Sequence, residues 1–420
     1  MGRKRQAPVL RARHLPVLPK VAIGLLLSCA TAAPALADAG APATFTGAVE
    51  RHYTTNALDS DHAVPDWYTL LRGSLQRQLG DADANVALGA EFQATRHDTV
   101  SIEDDRALAL SVSAFRKLEN GLEFRGTLSY RASSDGDDLP LGPVTLGMRT
   151  LKQVVAAEGQ VGVDLGNATT LVLDVSDSME EVGPTRFESN LQPAVQLDPD
   201  TNRLQSTARV TRTFGRLALG ASASALLATV ARLGSPPVGV SFRQFGLRAE
   251  AAYTGAGGLT AGAALGAELI EAADGLYRRV RPAWQLAVVA PLPHGFELRG
   301  TYFGRYENAD SDDPLASWLQ RVEIEGGAKL RPDLTFTAGL FREVKENLLF
   351  ENRERSRGFY AEAAYRLSPA AEIVLRVDAT KTDKTVIDVR ESTVDTFIGL
   401  RAKLLKLSNL ALREYGQGAC

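Results

Sequence analysis

The most regular feature of the chain is an alternation of apolar and polar residues over segments of about ten residues. In residues 122–131, Leu, Phe, Gly, Leu and Tyr occupy one set of alternate positions, and Glu, Arg, Thr, Ser and Arg occupy the other. Residues 296–305 and 372–380 repeat this pattern. Because successive side chains of a strand point to opposite faces of a sheet, a period of two predicts β-strands with one apolar face and one polar face.

The connections between these segments are alternately short and long. Short turns are predicted near Gly80-Asp81, 119–121, Gly166-Asn167, Phe214-Gly215, 255–258, 291–295, 331–333 and Ser368-Pro369, where Gly and Asn supply the positive φ that hairpins need. Longer polar loops are predicted over 55–66, 96–105, 132–150, 179–202, 231–240, 272–276, 307–317, 346–355 and 383–389. Eight turns and nine loops join eighteen strands, the first near 44–54 and the last near 390–404.

Strict alternation of short and long connections is typical of a transmembrane antiparallel β-barrel. We therefore predict an all-β fold of about eighteen strands, with sixteen as the alternative count, short periplasmic turns and long extracellular loops. A soluble β-sandwich also has period-two strands, but those average five or six residues and their connections need not alternate in length. The barrel must close because lipid offers no partner to backbone polar groups at a sheet edge.

The N-terminus predicts export. Residues 1–20 carry six basic residues and no acidic one, 21–33 are apolar or small, and Ala35-Leu36-Ala37 is a small-x-small cleavage site. This arrangement is typical of a secretory signal peptide over 1–37. Leu26–Cys29 also resembles a lipobox, so lipidation at Cys29 is the alternative to cleavage after Ala37. The predicted barrel then covers 38–404, and 405–420 form a periplasmic tail that ends at Cys420.

Loss of the signal peptide changes the charge and the cysteine content. Lys plus Arg falls from 47 to 41 while Asp plus Glu stays at 50, so the formal charge moves from −3 to −9. Only Cys420 remains, which excludes an internal disulfide. A hydrophobic content of 45% suits a barrel in which every second strand residue meets lipid.

The polar set of alternate positions predicts the lining of a water-filled or loop-plugged lumen, because eighteen strands enclose more space than side chains fill. Arginines in such a lining can attract anions, although the same charges can also pair across strands and stabilise the wall. The candidate lining residues are Glu123, Arg125, Glu297, Arg299, Arg305, Glu323, Glu325, Arg376 and Asp378.

No recognisable chemistry accompanies this lining. The histidines that follow the signal peptide (His52, His62, His97 and His294) form no His-x-x-x-His pair and lie near no cysteine, so no metal site, cofactor or catalytic residue is predicted. A barrel hydrolase would require a histidine near the rim, such as His52 or His97, together with a serine and an acid. Acidic loops can hold Ca²⁺, but no complete calcium-loop spacing is present. Nucleic acid is not an expected partner.

Several segments resemble the porin-like β-barrels of Gram-negative outer membranes, in particular those associated with exopolysaccharide production and export. The segments are Tyr53–Asn56, Trp67-Tyr68, Leu330–Leu334, Phe359–Glu362 and Phe397–Arg401. The resemblance spans nearly all of the predicted mature chain. It implies a channel for polysaccharide-related solutes, and the charged lining with its arginines adds the expectation that the solute is hydrophilic and anionic.

The partners implied are outer-membrane lipid and lipopolysaccharide, the barrel-assembly machinery and polysaccharide export components. An alternating apolar final strand is the feature that assembly machinery reads, and Ile398, Leu400 and Ala402 alternate in this way. The alternative function is a non-conducting barrel that scaffolds an outer-membrane complex. A long loop that folds inward as a plug would favour it, and 179–202 are long enough to do so.

Overall fold

The computed structural model describes residues 43–58, 63–141, 144–187, 194–231, 233, 240–308, 316–348, 353–384, 389–402 and 406–407. Most of them belong to eighteen long strands. In chain order these are β1 (Ala43–Thr54), β2 (Asp66–Gly80), β3 (Ala84–His97), β4 (Arg106–Lys117), β5 (Leu122–Leu141), β6 (Val144–Gly166), β7 (Thr169–Val182), β8 (Thr201–Phe214), β9 (Leu217–Val230), β10 (Phe242–Thr254), β11 (Thr260–Ala272), β12 (Arg278–Leu292), β13 (Phe296–Asn308), β14 (Ala316–Arg331), β15 (Leu334–Asn347), β16 (Arg353–Ser368), β17 (Ala371–Lys384) and β18 (Val389–Ala402). The predicted signal peptide over 1–37, Cys29, and residues 408–420 with Cys420 lie outside the described residues.

Each strand pairs antiparallel with the next one along the chain, and β1 pairs with β18, so the sheet closes into a barrel. The closing register runs from Gly47 opposite Ala402 to Thr54 opposite Asp395. Beyond β18, the short segment Lys406–Leu407 pairs with the start of β1. The predicted eighteen-stranded antiparallel barrel is therefore confirmed. Within the described part of the chain, no helix is long and apolar enough to cross a membrane.

All eight predicted short turns fall between the strands that they were predicted to join. At the turn after β6, Gly166 has a φ of 80° and Asn167 a φ of 52°. Left-handed backbone of this kind costs Gly nothing and Asn little, which is why such pairs mark tight hairpins. The turns therefore identify the short-connection end of the barrel from sequence alone.

One predicted loop is wrong. Residues 132–150 were expected to form a long polar loop, but β5 continues to Leu141 and β6 begins at Val144. The two strands stay in register from Ser134 opposite Leu151 onward, so a paired hairpin extends beyond the strands around it. Antiparallel strands can face water, so an acidic, polar run can form strands where no apolar face is required.

This extended hairpin contacts the neighbouring connection at residues 98–105. The guanidinium of Arg149 donates hydrogen bonds to the carbonyl oxygens of Asp104 and Ser134. The amide of Gly136 donates to the Asp105 carboxylate at 2.8 Å. Burial and the nearby charge of Asp135 raise the pKa of the Asp105 carboxyl. Hydrogen bonds therefore attach the extended hairpin to the neighbouring connection, and it forms part of the wall at the long-loop end.

Large apolar side chains on one set of alternate positions are exposed, which reverses the burial pattern of a soluble protein. Leu247 is 65% exposed, Leu340 64% and Leu265 61%. On β18, Ile398 and Leu400 are exposed while Phe397 is buried, as the alternation of that strand predicts. A continuous apolar surface of this extent marks a face covered by lipid or by a partner.

The sheet divides between β12 and β13 at its long-loop end. These strands pair only from Trp284 opposite Gly304 to Leu292 opposite Phe296. The remainder of β12 still pairs with β11, and the remainder of β13 still pairs with β14. Pro282 lies two residues beyond the last pair, and its nitrogen has no hydrogen to donate to a ladder. The Trp284 ring occupies the space over Gly304, where a Cβ would lie 2.5 Å from the indole.

Candidate pore and its charged lining

The polar face of the sheet is its concave face. A recess of about 800 Å³ is lined mainly by residues of that face, contributed by β16–β18 and β1–β5. One recess can contact eight neighbouring strands only on the inner side of a curved sheet. Glu50, Arg72, Glu91, Arg131 and Arg401 contribute charges of both signs to this recess. The lumen wall is therefore polar, and the exposed apolar face is the outer surface.

The predicted lining residues occupy the polar set of alternate positions, and the register places those of neighbouring strands on the same face. Arg299 lies opposite Glu325, and Thr301 lies opposite Glu323, so β13 and β14 present the same face. Inside the lumen the candidates occupy two separate regions. Glu123 and Arg125 lie on β5, whereas Glu297, Arg299, Arg305, Glu323, Glu325, Arg376 and Asp378 lie on β13, β14 and β17.

On β13–β17 the candidate arginines and acids pair with one another. Arg299 Nε donates to Glu297 at 2.6 Å, and its Nη1 lies 3.5 Å from Glu325. Arg376 donates to both carboxylate oxygens of Asp378 at 2.8 Å. Arg305 donates to Glu307 at 2.8 Å. The candidate arginines on these strands (Arg299, Arg305 and Arg376) thus have carboxylate partners within hydrogen-bond distance.

Tyr360 on β16 joins two of the candidate acids. Its hydroxyl donates to Glu325 at 2.5 Å and lies 3.1 Å from Glu323. The Arg376 guanidinium also stacks over the Tyr360 ring at 5.0 Å. A ring with both contacts holds these charged side chains against the wall.

The β5 pair differs from the others. Lys117 Nζ lies 3.1 Å from Glu123, whereas Arg125 lies 3.9 Å from the same carboxylate. The Arg125 side chain is 61% exposed and stacks over Phe115 at 5.1 Å. It also lines a recess of about 390 Å³. Arg125 is therefore the candidate arginine that is held most loosely and has the most access to the lumen.

Sequence reasoning missed the most buried charge in the wall. Glu50 on β1 is 1% exposed, and its carboxylate accepts from His52 Nε2 at 3.1 Å and lies 3.4 Å from Arg401 Nε. Arg72 lies 3.8 Å away on its other side. Glu50 therefore joins β18, β1 and β2 where the barrel closes. Its position in an alternating strand indicated an inward side chain but gave no signal of this burial.

An aromatic and histidine cluster extends from Glu50 toward the long-loop end. Tyr68 stacks on His52 with ring centroids 4.5 Å apart and contacts His97 at 4.8 Å. The Tyr68 hydroxyl donates to Asp395 at 2.6 Å, and His52 Nδ1 lies 3.4 Å from the same carboxylate. In the described residues the partners of both histidines are rings and carboxylates, without the serine that a hydrolase would use. Nor do the described His, Cys, Asp and Glu residues form a group of three that could hold a metal ion.

The described part of the loop over 183–200 lies along the wall. Thr185 bridges to Val195, and Arg186–Phe187 pair with β6. The Thr150 and Thr185 hydroxyls are 2.8 Å apart. These contacts attach the loop to the extended hairpin. The inward plug considered for 179–202 has no counterpart among its described residues.

The ends of β13–β15 lie inside the lumen instead. Tyr306 and Trp318 belong to the outward set of positions, yet they are 5% and 3% exposed. They pack with Phe242, Ile270 and Ala272, which belong to the inward set of β10 and β11. An outward face can meet an inward face only where one part of the sheet lies behind another. We call this overlapping part (305–308, 316–321 and 343–347) the inner sheet.

Polar contacts also join the inner sheet to the wall behind it. The amide of Tyr306 donates to Glu268 Oε2 at 3.0 Å, and Glu268 is 3% exposed. Arg281 donates two hydrogen bonds to Glu346 and stacks over the Trp318 ring at 5.2 Å. The indole of Trp318 meets Tyr306 edge-on at 4.9 Å. None of these contacts was predicted from the sequence.

The opposite face of the inner sheet lines the lumen. Phe303, Arg305, Glu307, Arg321 and Glu343 surround a cavity of about 470 Å³ on this side. Arg321 donates to Glu323 at 2.8 Å and to Glu343 at 3.1 Å. The candidate residue Arg305 therefore lies on the inner sheet, whereas Arg299, six positions earlier on the same strand, lies in the outer wall.

Solved structures share this fold. The copper transporter OprC superposes with a TM-score of 0.54 at 9% identity, over 87% of this chain and 81% of that one. Pseudomonas aeruginosa OccK2 (OpdF) superposes with a TM-score of 0.50 at 13% identity, over 87% of this chain and 98% of that one. No known family profile matches the sequence, and no curated protein matches it.

Proposed function

We propose that the chain is an outer-membrane β-barrel channel for hydrophilic solutes. The observation that carries this proposal is the pairing of an exposed apolar outer face with a charged inner face in one closed barrel of eighteen strands. A barrel of this size leaves space for water inside. The fold shared with OprC and OccK2 supports the proposal at the level of architecture.

Export through a cleaved signal peptide at 1–37 belongs to the same proposal, and so does insertion by the barrel-assembly machinery. The alternating final strand β18 and the exposed apolar outer face support insertion, because both offer an apolar surface to lipid. Contact with outer-membrane lipid and lipopolysaccharide follows from that location. We expect no catalytic activity, because neither the sequence nor the described lining brings a nucleophile and a base together.

An anionic or polysaccharide-related solute is the narrower proposal. Its polysaccharide part rests on the sequence resemblance alone. Its anionic part rests on the exposed arginines of the lumen, of which Arg125 and Arg299 are 61% and 58% exposed. Since the Arg299 guanidinium is already hydrogen-bonded to Glu297, the charge of Arg125 is less neutralised and attracts an anion in the lumen more strongly.

Reconstitution of the purified full-length protein in a planar bilayer tests the channel. We expect discrete conductance steps that are stable at low voltage. Complete silence of the folded barrel would contradict the channel and favour the scaffolding alternative. In liposome swelling assays, uptake of small uncharged sugars with exclusion of uronate oligomers would contradict only the polysaccharide part of the proposal.

Substitution of Arg125 is expected to change ion selectivity more than removal of the Arg299–Glu297 ion pair. Arg125→Ala should lower the anion-to-cation permeability ratio by about twofold, because it removes a charge that lies in the lumen and is weakly neutralised. The double variant Arg299→Ala/Glu297→Ala should change the ratio less, because it removes one positive and one negative charge together. Arg125 and Arg299 each follow a short turn on their strands, so they serve as matched controls. Reversal potentials in a salt gradient measure the ratio, and an equal effect of both variants would contradict the assignment.

A further inference from the structure

We infer that the inner sheet forms the constriction of this channel and that its lumen face selects the solute. The inference rests on the proposed channel function. In the described residues, the ends of the paired strands β13–β15 lie inside the barrel.

On one side of the lumen, two layers of sheet lie one behind the other. Tyr306 and Trp318 fill the interface between the inner sheet and β10–β11, and both are nearly fully buried. Two packed sheets stand about 10 Å apart. The inner sheet therefore reduces the open width by about 10 Å at this level, more than any single side chain in the lining could.

The charges on the exposed side of the inner sheet lie where a solute must pass closest to the wall. Arg305 pairs with Glu307 and Arg321 pairs with Glu343, at 2.8 Å and 3.1 Å. Charges act over about 8–10 Å in physiological salt, so those at the narrowest level dominate selection. A solute with carboxylates and hydroxyls can exchange hydrogen bonds with these paired groups as it passes.

Three residues accompany the separation of β12 from β13, which allows the inner sheet to fold into the lumen. Pro282 lies where the β12–β13 ladder ends, Gly304 leaves space for the Trp284 ring, and Arg281 donates hydrogen bonds to Glu346 of β15. If β15 stayed in the wall, the Glu346 carboxylate would lie in the outward set of positions. Its partnership with Arg281 is therefore specific to the folded arrangement.

The first experiment weakens the attachment of the inner sheet. Arg281→Ala and the milder Glu346→Gln should each raise single-channel conductance, the former by about twofold, since conductance follows the open cross-section. Arg51→Ala is the matched control: Arg51 also pairs with a carboxylate, Asp98, and stacks over a tryptophan, Trp67, but on the outer face. Its conductance should equal that of the wild type.

The second experiment compares two levels of one strand. Arg305→Glu changes a charge on the inner sheet, and Arg299→Glu changes a charge in the outer wall, six residues closer to the short-turn end of the same strand. The constriction predicts that Arg305→Glu shifts the reversal potential more than Arg299→Glu. A larger shift for Arg299→Glu would overturn the inference, because the selecting level would then lie outside the inner sheet.

The third experiment needs no conductance. The chain has three tryptophans, so paired Trp→Phe substitutions leave Trp318 or Trp67 alone. In vesicles with brominated acyl chains, Trp67, which is 47% exposed on the outer face, should be quenched strongly, and Trp318 weakly. Equal quenching would place Trp318 against lipid and would overturn the inner sheet.

The combined outcomes separate the two proposals. A barrel that conducts, with equal conductance in Arg281→Ala and strong quenching of Trp318, overturns the constriction and leaves the channel function intact. A wild-type barrel that is silent while Arg281→Ala conducts supports the inner sheet as the barrier and contradicts an open resting channel. Silence of both overturns both proposals.

Discussion

Replacement of Glu50 by alanine is expected to lower the free energy of unfolding by about 3–5 kcal/mol, the range for a buried ion pair that loses one partner. Glu50 is 1% exposed and is the shared acceptor for His52 and Arg401. Its loss leaves Arg401 and Arg72 facing a wall without their nearest carboxylate. The closing strands β1 and β18 should then separate first.

The site cannot adapt easily, because the neighbouring backbone is close. Gly399 lies opposite Glu50 on β18, and a Cβ at Gly399 would lie 2.7 Å from Glu50 Cγ. The glycine thus provides the space that the Glu50 side chain fills. In the Glu50→Ala variant this space becomes a cavity between two strands, which adds to the electrostatic loss.

Equilibrium unfolding in urea, followed by the folded mobility of the unheated barrel on a gel, measures the loss. Glu50→Gln should retain more of the stability than Glu50→Ala, because the amide oxygen still accepts from His52. Glu372→Ala is the matched control, since Glu372 also faces Arg401 at 3.9 Å but is partly exposed. It should cost about 1 kcal/mol or less. Equal losses in Glu50→Ala and Glu372→Ala would contradict the role of Glu50 in closure.

The strands and turns could be predicted from the sequence because their causes are local. Each strand carries its two faces within about ten residues, and turns such as Gly166-Asn167 carry their own positive φ. In a barrel that spans a membrane, as proposed here, lipid on one side and water on the other impose the alternation along nearly every strand. The same dependence explains the wrong loop at 132–150, because a hairpin that extends beyond the bilayer has no lipid to impose an apolar face.

Alternation assigns the lining residues to one face of the sheet, but it does not give their partners. Alternation places Arg299 inside the barrel, whereas its contact with Glu325 depends on the register between β13 and β14. Register follows from turn geometry and from packing of whole strands, which a single residue does not reveal. Of the two roles expected for the lining arginines, the candidates on β13–β17 show cross-strand and same-strand pairing with carboxylates.

The inner sheet was beyond the reach of periodicity. Alternation groups Trp318 with Val322 and Ile324, which are exposed on the outer face, and so predicts that Trp318 faces lipid. Its burial depends on β10 and β11, which lie more than forty residues earlier in the chain. The sequence did hold two signs of an interruption: Pro282 within a strand and Glu346 in an outward position.

Replacement of Trp318 by alanine should have the largest effect on stability outside the closing strands. An indole buries about 150–250 Å², and large-to-small changes of this kind cost about 3–5 kcal/mol. Trp318 contacts Tyr306 edge-on at 4.9 Å, Trp284 at 6.0 Å and the Arg281 guanidinium at 5.2 Å. These partners are fixed by two different sheets, so the cavity cannot close without moving one sheet toward the other.

Unfolding of Trp318→Ala in the same urea assay measures this cost, and Trp67→Ala is its control. Trp67 also contacts an aromatic ring, Tyr53 at 5.1 Å, and an arginine, Arg51 at 5.4 Å, but it lies exposed on the outer face. Its replacement should therefore cost less than that of Trp318. If Trp67→Ala were as destabilising as Trp318→Ala, the indole of Trp318 would lie on the barrel surface. Such a result would mean that the inner sheet and the wall behind it form a single layer. Only burial of Trp318 between two layers makes the loss of unfolding free energy larger in Trp318→Ala than in Trp67→Ala.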